Sequence, residues 1–126
     1  MSIHIRPISS TELRALAHEL ADVMREVVDG GASLGFLTPL TPDELPAYWL
    51  SLIPEVQDGT RLVLVAFDGD RVVGSGQLKL ASFPNAKHRA EVHKLFVANS
   101  VRRQGVGRSI MLALHDAALE CGRSLI

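Results

Sequence analysis

The chain has 126 residues, enough to bury one hydrophobic core and too few for two. Apolar residues make up 47% and charged residues 21%, a balance that excludes a disordered or low-complexity chain. Thirteen Lys/Arg against fourteen Asp/Glu leave a net charge of -1, so no global field draws the chain to nucleic acid.

The longest apolar run, residues 62–67, falls far short of the roughly 20 residues that cross a bilayer. His4, Arg6, Glu12, Arg14 and Glu19 interrupt the N-terminal stretch, which leaves no secretory h-region. The expectation is a cytoplasmic chain without a membrane partner. A single cysteine, Cys121, excludes an internal disulfide framework and a structural zinc site. Charge is unevenly spread: residues 1–86 hold six Lys/Arg against eleven Asp/Glu, residues 87–126 seven against three. Such a split suits a protein that meets an anion with its C-terminal third, and it also arises by chance in small domains.

In chain order, Ile3, Ile5 and Ile8 flank a short alternating segment closed by Pro7 and Ser9-Ser10, which reads as a strand. From Thr11, Leu13, Leu16, Leu20, Val23, Met24, Val27 and Val28 recur at steps of three and four, one buried helical face ended by Gly30 and Gly31. Residues 31–40 have no period and read as a loop. Thr41-Pro42-Asp43-Glu44 has the form of a capping box, starting a second helix that runs to about Val56 with Pro46 and Pro54 weakening its interior. The period then changes: residues 61–67 form a strand, Asp68-Gly69-Asp70 a turn, and residues 71–83 a long second strand of an antiparallel hairpin. Gly74 and Gly76 inside it imply a bulge or a close backbone approach. Pro84-Asn85-Ala86 turns the chain, residues 89–97 form a third strand, and residues 99–107 a polar loop. Ile110, Met111, Leu114, Ala117, Ala118 and Cys121 give a helical stripe, with Cys121 expected in the core, and Ser124-Leu125-Ile126 begins another strand. The order β-α-α-β-β-β-α-β is α+β (mixed α/β), a mostly antiparallel sheet flanked by helices.

The loop Arg102-Arg103-Gln104-Gly105-Val106-Gly107-Arg108 lies between a strand and a helix. Two glycines allow a tight turn with inward N–H groups, and the helix start adds unpaired donors and the positive dipole end. That is an anion cradle, and three arginines around it make a diphosphate the natural guest. It is not a P-loop, since Arg108-Ser109 stands where Lys-Ser/Thr is needed. Nor is it a dinucleotide fingerprint, which needs a small residue where Ile110 stands.

The spacing Arg102-x-x-Gly105-x-Gly107 after Leu95-Phe96-Val97 resembles the signature of the GNAT acetyltransferase superfamily. Residues 88–97 (HRAEVHKLFV) and 31–37 (GASLGFL) are similar to the branch that includes the tabtoxin resistance protein. The resemblance is strongest from Arg61 onward. It implies a GNAT-like fold and transfer of acetyl from acetyl-CoA, without a metal, to an amine of a small molecule. It also implies that the amides of the loop from Arg102 to Ser109 bind the pyrophosphate, and that Leu95, Phe96 and Val97 lie along the pantetheine arm.

In such enzymes a strand carboxylate commonly removes the amine proton, and Glu91 matches that position. Strand alternation sets Glu91, His93, Leu95 and Val97 on one face, which makes His93 the second candidate. The other reading of Glu91 is a solvated carboxylate paired with Arg89 or Lys94; that of His93 is a structural histidine. An amide near Leu95 or Phe96 is the expected donor to the thioester oxygen. Ser33 and Phe36 offer a hydroxyl and an aromatic wall to the acceptor, while Tyr48 and Trp49 read as core. Composition alone favours a cationic acceptor. The expected element order breaks off as the fifth strand begins, so residues 1–126 are expected to form one incomplete domain lacking its C-terminal part. Its general acid has no counterpart here. A CoA-binding remnant is the competing reading, and a homodimer in which a second copy covers the sheet edge is a third.

Overall fold

The hairpin at 61–80 forms the centre of the molecule because both its strands bury both faces, a pattern that requires cover on each side of the sheet. The computed structural model describes residues 2–32, 34–36, 39–80 and 89–125. The elements are β1 (Ile3–Pro7), α1 (Ser10–Asp29), α2 (Glu44–Ser51), α3 (Ile53–Asp58), β2 (Arg61–Asp68), β3 (Arg71–Leu80), β4 (Arg89–Val97), α4 (Val106–Glu120) and β5 (Ser124–Leu125). The sheet order is β1-β2-β3-β4-β5, antiparallel from β1 to β4 with β5 parallel to β4. The α+β, mostly antiparallel architecture expected from the sequence is the one observed.

Two cores lie on opposite faces of this sheet. On one, Leu13, Leu20 and Met24 of α1 and Trp49 of α2 pack with Val63, Val65 and Phe96. On the other, Ile110, Leu114 and Ala118 of α4 pack with Ala66, Leu78 and Ala90. The α1 start is a capping box: the Glu12 amide donates to Ser9 Oγ at 3.1 Å, and the Ser9 amide donates to Glu12 Oε1 at 3.1 Å. At the other end of α1, Glu26 Oε2 accepts the Asn99 amide at 2.6 Å, tying this helix to the loop that follows β4.

Four details depart from the sequence reading. The capping box at Thr41 does not form: α2 starts at Glu44 behind Asp43, which makes no side-chain cap bond. The Thr41 carbonyl instead accepts the Arg25 guanidinium at 2.7 Å and the Glu44 amide at 3.3 Å, holding the segment as a turn. The helix expected to reach Val56 divides at Leu52 into α2 and α3, with Pro54 in the first turn of the second, the position where its missing N–H costs nothing. Cys121 is exposed, because it caps α4 beyond Ala118, the last buried residue of that stripe. The polar loop is shorter than expected, since residues 99–101 form a 3-10 turn and Val106 and Gly107 already belong to α4. The end of the long second strand and the turn at 84–86 lie outside the described residues. No described helix is long and apolar enough to cross a membrane.

Gly74 and Gly76 mark a close approach. A Cβ on Gly74 would stand 2.9 Å from the Phe96 carbonyl oxygen, and one on Gly76 2.8 Å from Ile110 Cγ2. These glycines let α4 lie directly on the sheet beside β4. Gly74→Ala should therefore destabilise the fold by about 1–3 kcal/mol, the range for overpacking, read as a lower urea midpoint at unchanged slope; an unchanged midpoint would contradict this packing.

Candidate active site

The site begins with an irregularity in β4. Gln77 pairs with His93 and Ser75 with Phe96, so β4 takes one more step than β3 between these pairs. The extra residue is accommodated at Lys94, whose φ of 51° is left-handed, a β-bulge that bends the strand. Inserting one residue reverses which face each later side chain meets. Ala90 and Val92 lie with Leu95 and Val97 on the α4 face, whereas Phe96 belongs to the opposite core. Glu91 and His93 therefore face the α1–α3 side. The single face expected for Glu91, His93, Leu95 and Val97 is corrected: the bulge sends the first two one way and the last two the other.

Glu91 and His93 do come together. His93 Nε2 donates to Glu91 Oε2 at 2.9 Å, so Glu91's partner is this histidine rather than Arg89 or Lys94. That hydrogen bond, followed by the positive charges of His93 and Lys79, holds the Glu91 carboxyl below its ordinary range. Around the pair lies a polar group that the strand periods did not reveal. Gln77 is fully buried and sits between Tyr48 and Arg61: its Nε2 donates to the Tyr48 hydroxyl at 3.1 Å, and its Oε1 accepts Arg61 Nη1 at 2.7 Å. Arg61 and Lys79 share Glu55 at 3.4 and 3.7 Å. Burial raises the Tyr48 phenol above its usual value. Trp49 is core, as expected, but Tyr48 is only half-buried and belongs to this network. Gln77 and Lys79, polar residues near the end of β3, were the available sequence signal for it.

Lys94 extends from the bulge toward the loop before α2. Its ammonium donates to the Leu34 carbonyl and lies 4.7 Å from the Phe36 ring centroid and 5.6 Å from that of Tyr48. Phe36 meets Tyr48 edge-on at 5.3 Å, which sets this ring against the Tyr48–Gln77–Arg61 group. Ser33 falls outside the described residues.

The far edge of β4 is the second half of the site. β5 pairs with it only at Arg89 and Ala90, which leaves the edge from Glu91 to Val97 open among the described residues. Amides alternate between the two edges of a strand. Since the Ala98 amide donates to the Val73 carbonyl at 2.8 Å, that of Phe96 turns toward β3, and those of Val97 and Leu95 face the open edge.

The cradle follows directly. Arg103 (φ 66°) and Gly105 (φ 78°) are left-handed, and Gly105 precedes α4 without a side-chain cap or an acidic first turn. The amides of residues 103–108 meet no acceptor among the described residues, whereas that of Ser109 donates to the Gly105 carbonyl at 3.0 Å. Arg102, Arg103, Gln104, Arg108 and Ser109 are exposed, while Val106 is buried and contributes only its backbone. Unspent amides, a helix N-terminus and three arginines fit the pyrophosphate of coenzyme A. Among the described residues, no His, Cys, Asp and Glu side chains gather into a metal-holding group.

A loop with unpaired amides at a helix N-terminus, continuous with a strand edge that is open among the described residues and carries a Glu–His pair, is suited to an anionic co-substrate. A family model described as "Acetyltransferase (GNAT) family" matches residues 32–126, and the chain belongs to that family. It is an acyltransferase. Solved structures share the fold. The PaiA N-acetyltransferase of Thermoplasma acidophilum, in complex with coenzyme A, is 21% identical with a TM-score of 0.69 over 97% of this chain and 75% of that one. An aminoglycoside acetyltransferase from an uncultured soil metagenomic sample, in complex with sisomicin, is 18% identical at TM-score 0.74 over 98% and 74%. A ribosomal-protein-alanine N-acetyltransferase from Brucella melitensis is 21% identical at 0.72 over 99% and 78%.

A Cβ on Gly105 would meet nothing within 4 Å, and one on Gly107 only Val97 Cγ2 at 3.4 Å. Gly107 thus has space for a side chain at an ordinary φ, whereas Gly105 at φ 78° would strain one whatever the space. Replacing Gly107 by valine should abolish coenzyme A binding in calorimetry while unfolding stays cooperative; retained affinity would overturn the cradle.

Proposed function

We propose that the chain transfers acetyl from acetyl-CoA to the amine of a small molecule by direct attack, with Glu91 as the base, His93 as its positioning partner and Phe36 and Ser33 on the acceptor side. The observation that carries this reading is the hydrogen-bonded Glu91–His93 pair on the strand whose other edge is open and leads to the cradle. The resemblance of residues 88–97 and 31–37 to the tabtoxin-resistance branch supports a small-molecule acceptor.

Acetyl-CoA, when bound, supplies the acetyl group as a thioester. The amides of residues 103–108, with Arg102, Arg103 and Arg108, hold the diphosphate, and the Leu95 and Val97 amides offer donors along the open edge, where one can stabilise charge on the thioester oxygen. An alkylammonium with pKa near ~10 must lose a proton to become a nucleophile. Glu91 is ionised at neutral pH and lies below its usual range, so it is free to accept that proton, directly or through a water, but as a weak base whose proton transfer accompanies the amine's attack on the thioester. Residues 1–126 belong to one incomplete acetyltransferase domain in this reading, in the cytoplasm, with a second copy at the β5 edge as the dimer partner.

Free-thiol release from acetyl-CoA with a panel of amines tests the proposal. Glu91→Gln should lower kcat/KM by roughly 100-fold or more; an unchanged rate would remove Glu91 from the role. The pH profile supplies a second check. His93 lowers the Glu91 pKa, so activity that needs the carboxylate is present above that lowered value and lost as pH falls through it. In His93→Gln the acidic limb should move to higher pH, and an unmoved limb would show that the pair does not set it.

A further inference from the structure

Lys94 is an unusual residue to find at a bulge. It adopts a left-handed backbone at φ 51°, a region that side chains other than Gly, Asn and Asp seldom occupy, and burial together with the nearby Arg61 pushes its ammonium below the ordinary lysine value. Its partners are a carbonyl and two rings. Among the described residues no carboxylate pairs with it, and none of the remaining residues is Asp or Glu. The carboxylates of this face are already engaged: Glu55 by Arg61 and Lys79, Glu91 by His93. Arg61, only 6% exposed, also keeps its Nε buried without an acceptor. A half-buried cation without a counter-ion, next to a second cation, is incomplete until an anion arrives. The same ammonium fills the Phe36–Tyr48 aromatic corner, where a cationic group of an acceptor would otherwise settle.

From this we propose that Lys94 is the acceptor-specificity residue, and that it anchors a carboxylate carried by the amine substrate. The favoured acceptors are thus amino-acid-like molecules rather than polycationic amines. The inference rests on the transferase reading above and narrows it. Its basis is the local charge pattern, which runs against the acidic composition of residues 1–86.

The test is calorimetric titration of the coenzyme-A-loaded protein with N-acetyl-L-amino acids and with their C-terminal amides, probes that require no turnover. For at least one side chain the acid should bind about tenfold tighter than its amide, the scale of one charge-assisted hydrogen bond. That preference should vanish in Lys94→Gln and persist in Lys94→Arg, with thermal unfolding confirming that both variants fold. Equal binding of acids and amides, no binding of either, or a preference that survives Lys94→Gln would each overturn the anchor. Acetylation of sisomicin at a rate matching the best amino acid would overturn it too, while leaving the transferase reading intact. A protein that does not bind coenzyme A in the same calorimeter would overturn both.

Discussion

The single residue by which β4 outruns β3 governs the rest of the site. A regular strand would place Glu91, His93, Leu95 and Val97 together, beneath one set of helices. With Lys94 inserted in a left-handed conformation, Glu91 and His93 face the α1–α3 side, and Leu95 and Val97 pack under α4. A β-bulge costs pairing and backbone strain on the order of 1–3 kcal/mol, and is retained where its displacement of side chains serves a purpose. Here it gives one strand two features: a polar face toward α1–α3 and, among the described residues, an open backbone edge that leads to the start of α4.

The donor half depends on α4 lying close to that strand. Two glycines of β3 allow the approach, and the helix then begins where its free amides continue the open edge of β4. Three arginines surround those amides, and no acidic residue occupies the first turn of α4, so the helix dipole and the formal charges act in the same direction. On the acceptor half the logic is reversed. Gln77, Tyr48, Arg61 and Glu55 are linked by hydrogen bonds and an ion pair, which fixes the geometry of the wall, while Arg61 Nε stays buried without an acceptor.

Much of this was legible in the chain because it rests on local signals. Hydrophobic period separated α1 and α4 from the hairpin, and the Gly105-x-Gly107 spacing before a helical stripe marked the left-handed turn that opens α4. The bulge was not legible, since it sits on a lysine rather than a glycine or asparagine and its cause is the register with β3, a non-local property. The same limit explains Thr41, whose carbonyl is claimed by Arg25 from another helix, and Tyr48, whose aromatic character read as core although its hydroxyl meets Gln77. Cys121 followed the apolar stripe by spacing, but burial along that stripe ends at Ala118 and Cys121 is exposed.

The central claim is that the open edge of β4 and the amides before α4 form one continuous donor site. Amide chemical shifts of the 15N-labelled protein, followed during titration with coenzyme A, test it most directly. The account predicts that the largest changes fall on Leu95, Val97 and residues 103–108, with small changes at Glu91 and His93. Changes confined to another surface, such as the groove lined by His4, Arg6 and Phe67, would contradict it.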